Sequence, residues 1–237
     1  ATVAGPGGLA RYVEVPTLID EVVSWAPVGA SGDESIVRPA ARPFDPEGGL
    51  RVVRGNLGEA IIKTSAVARG HRVVQAPARV FASQEALQES FAQGTLTGDF
   101  VAVIPFQGPR ANGMPELHRL TPVLTTLQSR GQSVALVTDG RMSGASGKVL
   151  AAIHVTPEAA MGGPLAKVRD GDVVRLDAER GELQVLVDEA TWRTREAMGV
   201  RILKADEGWG RELFASLRSQ LLPASAGAGL PQPDDLA

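Results

Sequence analysis

The sequence predicts a strand-rich α/β domain, a β-barrel-like sheet with helices packed outside it. Short β-branched runs separated by turn-sized gaps recur from residue 50 onward. The runs DFVAVIPF (99–106) and SVALVTD (133–139) are almost continuously apolar, as strands buried on both faces are. Between the strands, a few stretches carry apolar residues at helical spacing. Hydrophobic residues make up 43% of the 237-residue chain but aromatics only 4%, so the core is expected to be Val, Leu, Ile and Ala.

Taken in order, residues 1–8 read as a loop. Leu18, Ile19, Val22 and Val23 follow Pro16 at helical spacing and predict a short helix. Residues 26–49 are rich in proline and glycine and predict a linker or long surface connection, so 1–49 is taken as an amino-terminal extension. GLRVVRGN, EAIIKTSAV, HRVVQA and ARVFA are four predicted strands. Ser83 is placed to cap a helix whose Leu87 and Phe91 share one face. After the strand at 99–106, Leu120, Val123, Leu124 and Leu127 mark a second helix, ended by Gly131. DVVRLD and ELQVLV, joined by Ala178–Gly181, predict a hairpin. A closing helix over 210–222 completes a domain spanning 50–222, and 223–237 is expected to be a flexible tail.

Composition excludes several function classes. With 24 basic and 27 acidic residues the net charge is −3, which suggests neither nucleic acid nor a membrane surface as partner. No apolar run is long enough for a membrane span and no leader pattern is evident, so a cytoplasmic location is expected. Cysteine is absent, which removes disulfides, thiol nucleophiles and thiolate-held clusters from the chain by itself. The three histidines, His71, His118 and His154, are too scattered for a zinc site of their own.

Three segments are too irregular and polar for core. In 106–116, two glycines and two prolines shape a loop that ends at Glu116. That carboxylate reads either as a helix-start charge complementing the dipole or as a hard oxygen ligand for Mg²⁺. In 138–148, a glycine- and serine-rich turn with Arg141 and Lys148 follows a buried strand, the kind of turn whose N–H groups receive an anion; an ordinary surface loop is the alternative. It is not a P-loop, because Val149 follows Lys148, and no histidine adjoins Ser143 to make a Ser–His pair. In 153–164, His154 within an apolar strand reads as structural sooner than as a base.

GPRANGMPEL (108–117), VTDGRMSGASGK (137–148), AAIHVTPEA (151–159) and GGPLAKVRDGDVVRLDA (162–178) strongly resemble the dihydroxy-acid and phosphogluconate dehydratase family, and RGNLGEAIIKTSAV (54–67) and APARVF (76–81) extend the match. The resemblance covers roughly 1–222. The pairing of the first two motifs looks like the 6-phosphogluconate branch. It implies the carboxyl-terminal, swivelling β/β/α domain of a hydro-lyase that dehydrates 6-phospho-D-gluconate to 2-dehydro-3-deoxy-6-phosphogluconate in the Entner–Doudoroff pathway. It further implies an amino-terminal domain holding a 4Fe–4S iron–sulfur cluster and most ligands of a Mg²⁺ ion, and a homodimer. By motif position, Ser143 is the expected alkoxide base and Glu116 a Mg²⁺ ligand; Arg141, Gly144, Ala145, Ser146 and Lys148 are expected to bind the substrate's carboxylate or distal phosphate. The chain alone is expected to be inactive. A dihydroxy-acid or non-phosphorylated sugar-acid dehydratase fragment, or a non-catalytic anion-binding module, are the alternatives.

Overall fold

The computed structural model describes residues 13–142, 147–199 and 208–231. The chain divides into two compact units, 1–48 and 49–237.

The first unit corrects an expectation. The segment predicted as a helix is a β-hairpin of β1 (Glu14–Ile19) and β2 (Val22–Pro27), paired antiparallel from Ile19↔Val22 to Glu14↔Pro27. Asp20 and Glu21 turn the chain with φ of 48° and 64°, both left-handed as a type I′ turn requires. The two inserted turn residues put Leu18, Ile19, Val22 and Val23 at intervals that also fit a helix face. After the hairpin, local contacts hold the chain: Asp33 accepts from the Ser35 N–H at 2.8 Å and Glu34 pairs with Arg42 at 2.6 Å.

The second unit is a closed eight-stranded barrel. Its strands are β3 (Leu50–Gly55), β4 (Gly58–Lys63), β5 (Val73–Val80), β6 (Phe100–Ile104), β7 (Val134–Thr138), β8 (Leu150–Thr156), β9 (Val173–Asp177) and β10 (Glu182–Val185). The ring order is β10-β3-β4-β8-β7-β6-β5-β9. The run β5-β6-β7-β8 is parallel, and β9–β10 is the predicted hairpin. β5 joins two of the predicted strands through Pro77. The proline precedes Ala78, where pairing with β6 begins, so its missing N–H takes no donor from that ladder.

Alternation along the central strands separates two cores. Val101, Val103, Ala135 and Val137 point into the barrel, filled largely by Val, Leu and small Ala side chains. Phe100, Ala102, Ile104 and Leu136 point outward against Leu87 of α1 (Gln84–Ala92) and Leu120, Leu124 and Leu127 of α3 (Leu120–Ser129). Both faces of β6 and β7 are therefore covered, which is why their sequences are continuously apolar. Ser83 caps α1 through the Ala86 N–H, as predicted. Each large side chain so buried contributes about 1.5–3 kcal/mol.

Closure of the ring depends on two adjacent residues. A Cβ on Gly55 would lie 1.9 Å from the Leu183 carbonyl oxygen, so only glycine allows β3 to approach β10. Next to it, the Asn56 amide donates to the Val185 C=O and accepts from its N–H, both at 2.8 Å, imitating a strand neighbour.

Beyond the barrel lie α4 (Glu189–Thr194), α5 (Trp209–Leu213) and α6 (Ala215–Ser219). The predicted closing helix is thus two short ones. Of the expected tail, residues 223–231 fold back through a 3₁₀ turn at Ala224–Ala226, and the Leu222 N–H donates to the Gly229 C=O at 2.9 Å.

Candidate functional site

At the carboxyl ends of β6, β7 and β8 three loops meet, and they contain the three segments singled out in the sequence. The loop after β6 carries a short helix, α2 (Pro109–Asn112), and then Glu116. The loop after β7 begins at Asp139, and the loop after β8 begins with a cis Thr156–Pro157 bond followed by Glu158.

Glu116 and Arg141, both predicted site residues, are brought together. Their backbones form a parallel bridge, and the Leu117 N–H donates to the Arg141 C=O at 3.2 Å. Arg141 Nη1 lies 3.3 Å from Glu116 Oε2, with side-chain exposures of 52% and 29%, so both charges stand at a rim that solvent or a ligand can reach. Arg141 Nε also donates to the Met114 C=O at 2.8 Å, tying the two loops. Helix α3 starts only at Leu120 and has no acidic residue in its first turn. Glu116 is therefore not a helix-start charge, which removes that reading. Lys148 is exposed just before β8, and its carbonyl accepts from Gln128. Ser143, Gly144, Ala145 and Ser146 lie outside the described residues.

The side chains that hold the loops in place were not recognised in the sequence. Asp139 is fully buried. Its carboxylate accepts from the Gln107 N–H at 2.8 Å, the Ala159 N–H at 2.9 Å and the Phe106 N–H at 3.2 Å, so it fastens all three loops to one point. Burial lifts its pKa to about 6 against these donors, and the nearby Glu158 adds to the rise. Glu158, also buried, accepts from the Arg110 N–H at 3.0 and 3.2 Å and so caps α2. Burial pushes its pKa up, while the Arg110 and Ala111 N–H groups oppose the shift. A Cβ on Gly108 would sit 1.8 Å from Glu158 Oε2, so the contact requires glycine there. The only local hints in sequence are that Asp139 ends an apolar strand before Gly140, and that Glu158 follows a proline.

Three non-glycine residues at the site have left-handed backbones: Phe106 (φ 63°), Met114 (φ 52°) and His154 (φ 58°). Such conformations cost of order 1–3 kcal/mol each and persist where surrounding contacts impose them. At His154, the N–H donates to the Gly140 C=O at 2.9 Å, and the pairing of β4 with β8 slips between Glu59 and Ile61. His154 has a lowered pKa, from partial burial and then from the Arg141 charge.

The carboxyl-terminal segment braces the same corner. Arg211 donates to the Asn112 side-chain oxygen at 2.7 Å and the Ala111 C=O at 2.9 Å, and Arg110 Nε donates to the Leu221 C=O at 2.7 Å. A cavity of about 240 Å³ opens there, with Phe106, Gln107, Asn112 and Arg211 in its wall.

The donor set can be tested against the expected cofactors. With no cysteine, the chain has no thiolate for an iron–sulfur cluster. Among the described residues no three His, Cys, Asp or Glu side chains converge as a metal site. Glu116, a partly exposed carboxylate paired with Arg141, is by itself a single oxygen donor and does not make a cation site.

Comparison with known proteins bears on the whole arrangement. Residues 35–228 match the family described as dihydroxy-acid/6-phosphogluconate dehydratase C-terminal. The chain is 57% identical over 228 residues to the phosphogluconate dehydratase of Pseudomonas aeruginosa, covering 96% of this chain and 37% of that protein. It is 50% identical over 229 residues to the phosphogluconate dehydratase of Escherichia coli, covering 96% and 38%. To the dihydroxy-acid dehydratase of Pyrococcus furiosus it is 42% identical over 167 residues, covering 68% and 29%. The chain thus spans little more than a third of the length of the two phosphogluconate dehydratases and less than a third of the dihydroxy-acid dehydratase. On the family match and these identities, the chain belongs to the dihydroxy-acid/6-phosphogluconate dehydratase family, as a carboxyl-terminal domain of it.

Proposed function

We propose that this domain forms one wall of a hydro-lyase site that converts 6-phospho-D-gluconate to 2-dehydro-3-deoxy-6-phosphogluconate. The observation that carries the reading is the identity of 57% and 50% with phosphogluconate dehydratases over 96% of the chain. The dihydroxy-acid relative matches a smaller part at lower identity, which favours the phosphorylated substrate.

In this reading Ser143, two residues beyond Arg141, removes the proton at C2 of the sugar acid. The C2–H electrons form the C2–C3 double bond as the C3–O bond breaks, and the hydroxyl departs. The resulting enol takes a proton at C3 and gives up the proton on its C2 oxygen, becoming the 2-keto acid. Serine is a weak base at its ordinary pKa, so N–H donors and neighbouring cations must stabilise its alkoxide. Arg141 presents a fork suited to the substrate's carboxylate or phosphate, with Gly144, Ala145, Ser146 and Lys148, a few positions further along the sequence, as further substrate contacts. Glu116 would be one ligand of a Mg²⁺ ion, which would supply Lewis acidity that makes the C2 proton easier to remove. A cluster of the complete enzyme would be held by residues outside this chain. Asp139 and Glu158 hold the loops that present these groups.

The test is turnover by the full-length protein with 6-phosphogluconate, gluconate and a branched 2,3-dihydroxy acid, reading 2-keto acid formation. Preference for 6-phosphogluconate, with a loss of roughly 10²–10⁴-fold in kcat for Ser143→Ala, is expected. Preference for the branched dihydroxy acid, or near-normal kcat without Ser143, would refute the reading.

A further inference from the structure

The hairpin β1–β2 has a surface that water alone does not suit. Leu18 (70% exposed) and Trp25 (63%) lie on one face with Pro16 and Val23, since Leu18 pairs with Val23 and Pro16 with Trp25. Ile19 (57%) and Val22 (66%) lie on the other face with Val15 and Ala26, on either side of the small polar pair Thr17–Ser24. A two-stranded ribbon is marginal by itself in water, and this one exposes large apolar side chains on both faces instead of one. Soluble hairpins that lie against a single surface alternate apolar with polar residues. Apolar residues on both faces mean that both faces are to be covered. Glu14, Asp20 and Glu21 are its only charged residues, and two of them form the turn, so a surface receiving the turn would be complementary to it with positive charge there.

We propose that the hairpin inserts into a cleft of the amino-terminal portion of the same full-length polypeptide, an apolar cleft with basic groups at its closed end. Two observations identify that occupant. The family match begins at residue 35, beyond the hairpin, while the phosphogluconate dehydratases align over 96% of the chain and so include it. Those relatives are also far longer, this chain covering 37% of one of them, and the matched region is their carboxyl-terminal part. A second copy of this chain would lie against one face of the ribbon in a two-fold pairing and leave the other in water. The inference rests on family membership and not on the identity of the substrate.

Hydrogen exchange on the unmodified full-length protein is the first measurement. The hairpin amides are expected to be protected on the order of 100-fold or more over unstructured rates. Exchange at unstructured rates would overturn the proposal. A photo-crosslinking residue at position 23 is then expected to join to peptides of the amino-terminal portion in the same chain. Joining to position 23 or its neighbours in a second copy would overturn it. In the double variant Leu18→Asp, Trp25→Asp, hairpin protection is expected to fall and the amino-terminal portion to become protease-sensitive, with oligomeric mass and barrel protection unchanged. A fall in oligomeric mass with unchanged protease sensitivity would assign the surface to a second copy and overturn the proposal.

Discussion

Replacing Asp139 by asparagine separates the charge of this carboxylate from its shape. In the folded domain its pKa is raised from 3.8 to about 6, because burial outweighs the Phe106, Gln107 and Ala159 N–H donors. The folded state therefore binds more protons than the unfolded state between these two values, and stability falls as pH rises through that window. The full difference of 6 − 3.8, or 2.2 units, amounts to about 3 kcal/mol, lost by pH 7 relative to strong acid. Between pH 5 and 7 the loss is about 1 kcal/mol. The Asp139→Asn variant would have no such slope. The new side-chain carbonyl can keep two of the N–H bonds, but the NH₂ group would face a third donor, at about 1–3 kcal/mol for the unmatched buried group. At pH 7 that cost and the relieved charge burial nearly offset each other, so absolute stability is a poor test and the slope a good one. Urea unfolding at pH 5, 6 and 7, followed by far-ultraviolet circular dichroism, should show the original protein losing about 1 kcal/mol more than Asp139→Asn across this range. Parallel profiles would refute the account of Asp139 as a buried carboxyl held against its charge.

Gly108→Ala should displace the Glu158 carboxylate from α2, since the new methyl would start 1.8 Å from Glu158 Oε2; a loss of about 2–4 kcal/mol in urea unfolding is expected. A loss under about 1 kcal/mol would show that the carboxylate can move without cost. Arg141→Ala should change stability by less than about 1 kcal/mol, because its pair with Glu116 is partly exposed. In that variant the His154 pKa, lowered by burial and by Arg141, should move back toward its ordinary value in an NMR titration. The 237-residue chain, with no cysteine and no complete metal site among its described residues, should show no turnover of 6-phosphogluconate where the full-length protein does. Detectable turnover by the chain alone would show that it holds a complete site.

The barrel's strands were legible in sequence wherever a rule links local pattern to burial. β6 and β7 are covered on both faces, so their apolar runs are unbroken, and Ser83 ahead of Leu87 and Phe91 marks α1 by its cap and spacing. The hairpin β1–β2 was read as a helix because its type I′ turn is built from Asp20–Glu21, and only Asn-Gly or Asp-Gly would have announced it. At the site, the motif residues Glu116 and Arg141 could be named in advance. Their juxtaposition through a backbone bridge could not, since it depends on two loops 25 residues apart in sequence. Asp139 and Glu158 were missed for the same reason. Asp139 acts on amides 32 and 33 positions away and Glu158 on one 48 away, and no local pattern encodes such partners.

Closing the sheet into a ring gives the domain two rims with different tolerances. The rim at the carboxyl ends of β6, β7 and β8 is fastened by the buried Asp139 and Glu158, and an added residue there would break bonds that no other group can replace. The turns entering β6 and β7 from the opposite rim, around Gly94–Gly98 and Gly131, have open space beside them, with no atom within 4 Å of a Cβ at Gly94, Gly98 or Gly131, though left-handed φ of 69°, 72° and 92° reserves these three positions themselves for glycine. A tag, a fluorophore or an inserted loop placed next to these glycines, and not on them, should leave the site's geometry untouched, since a strand of a closed ring cannot slide in register without displacing both neighbours. The ring makes the far rim a handle by which the domain can be held or labelled without touching the site.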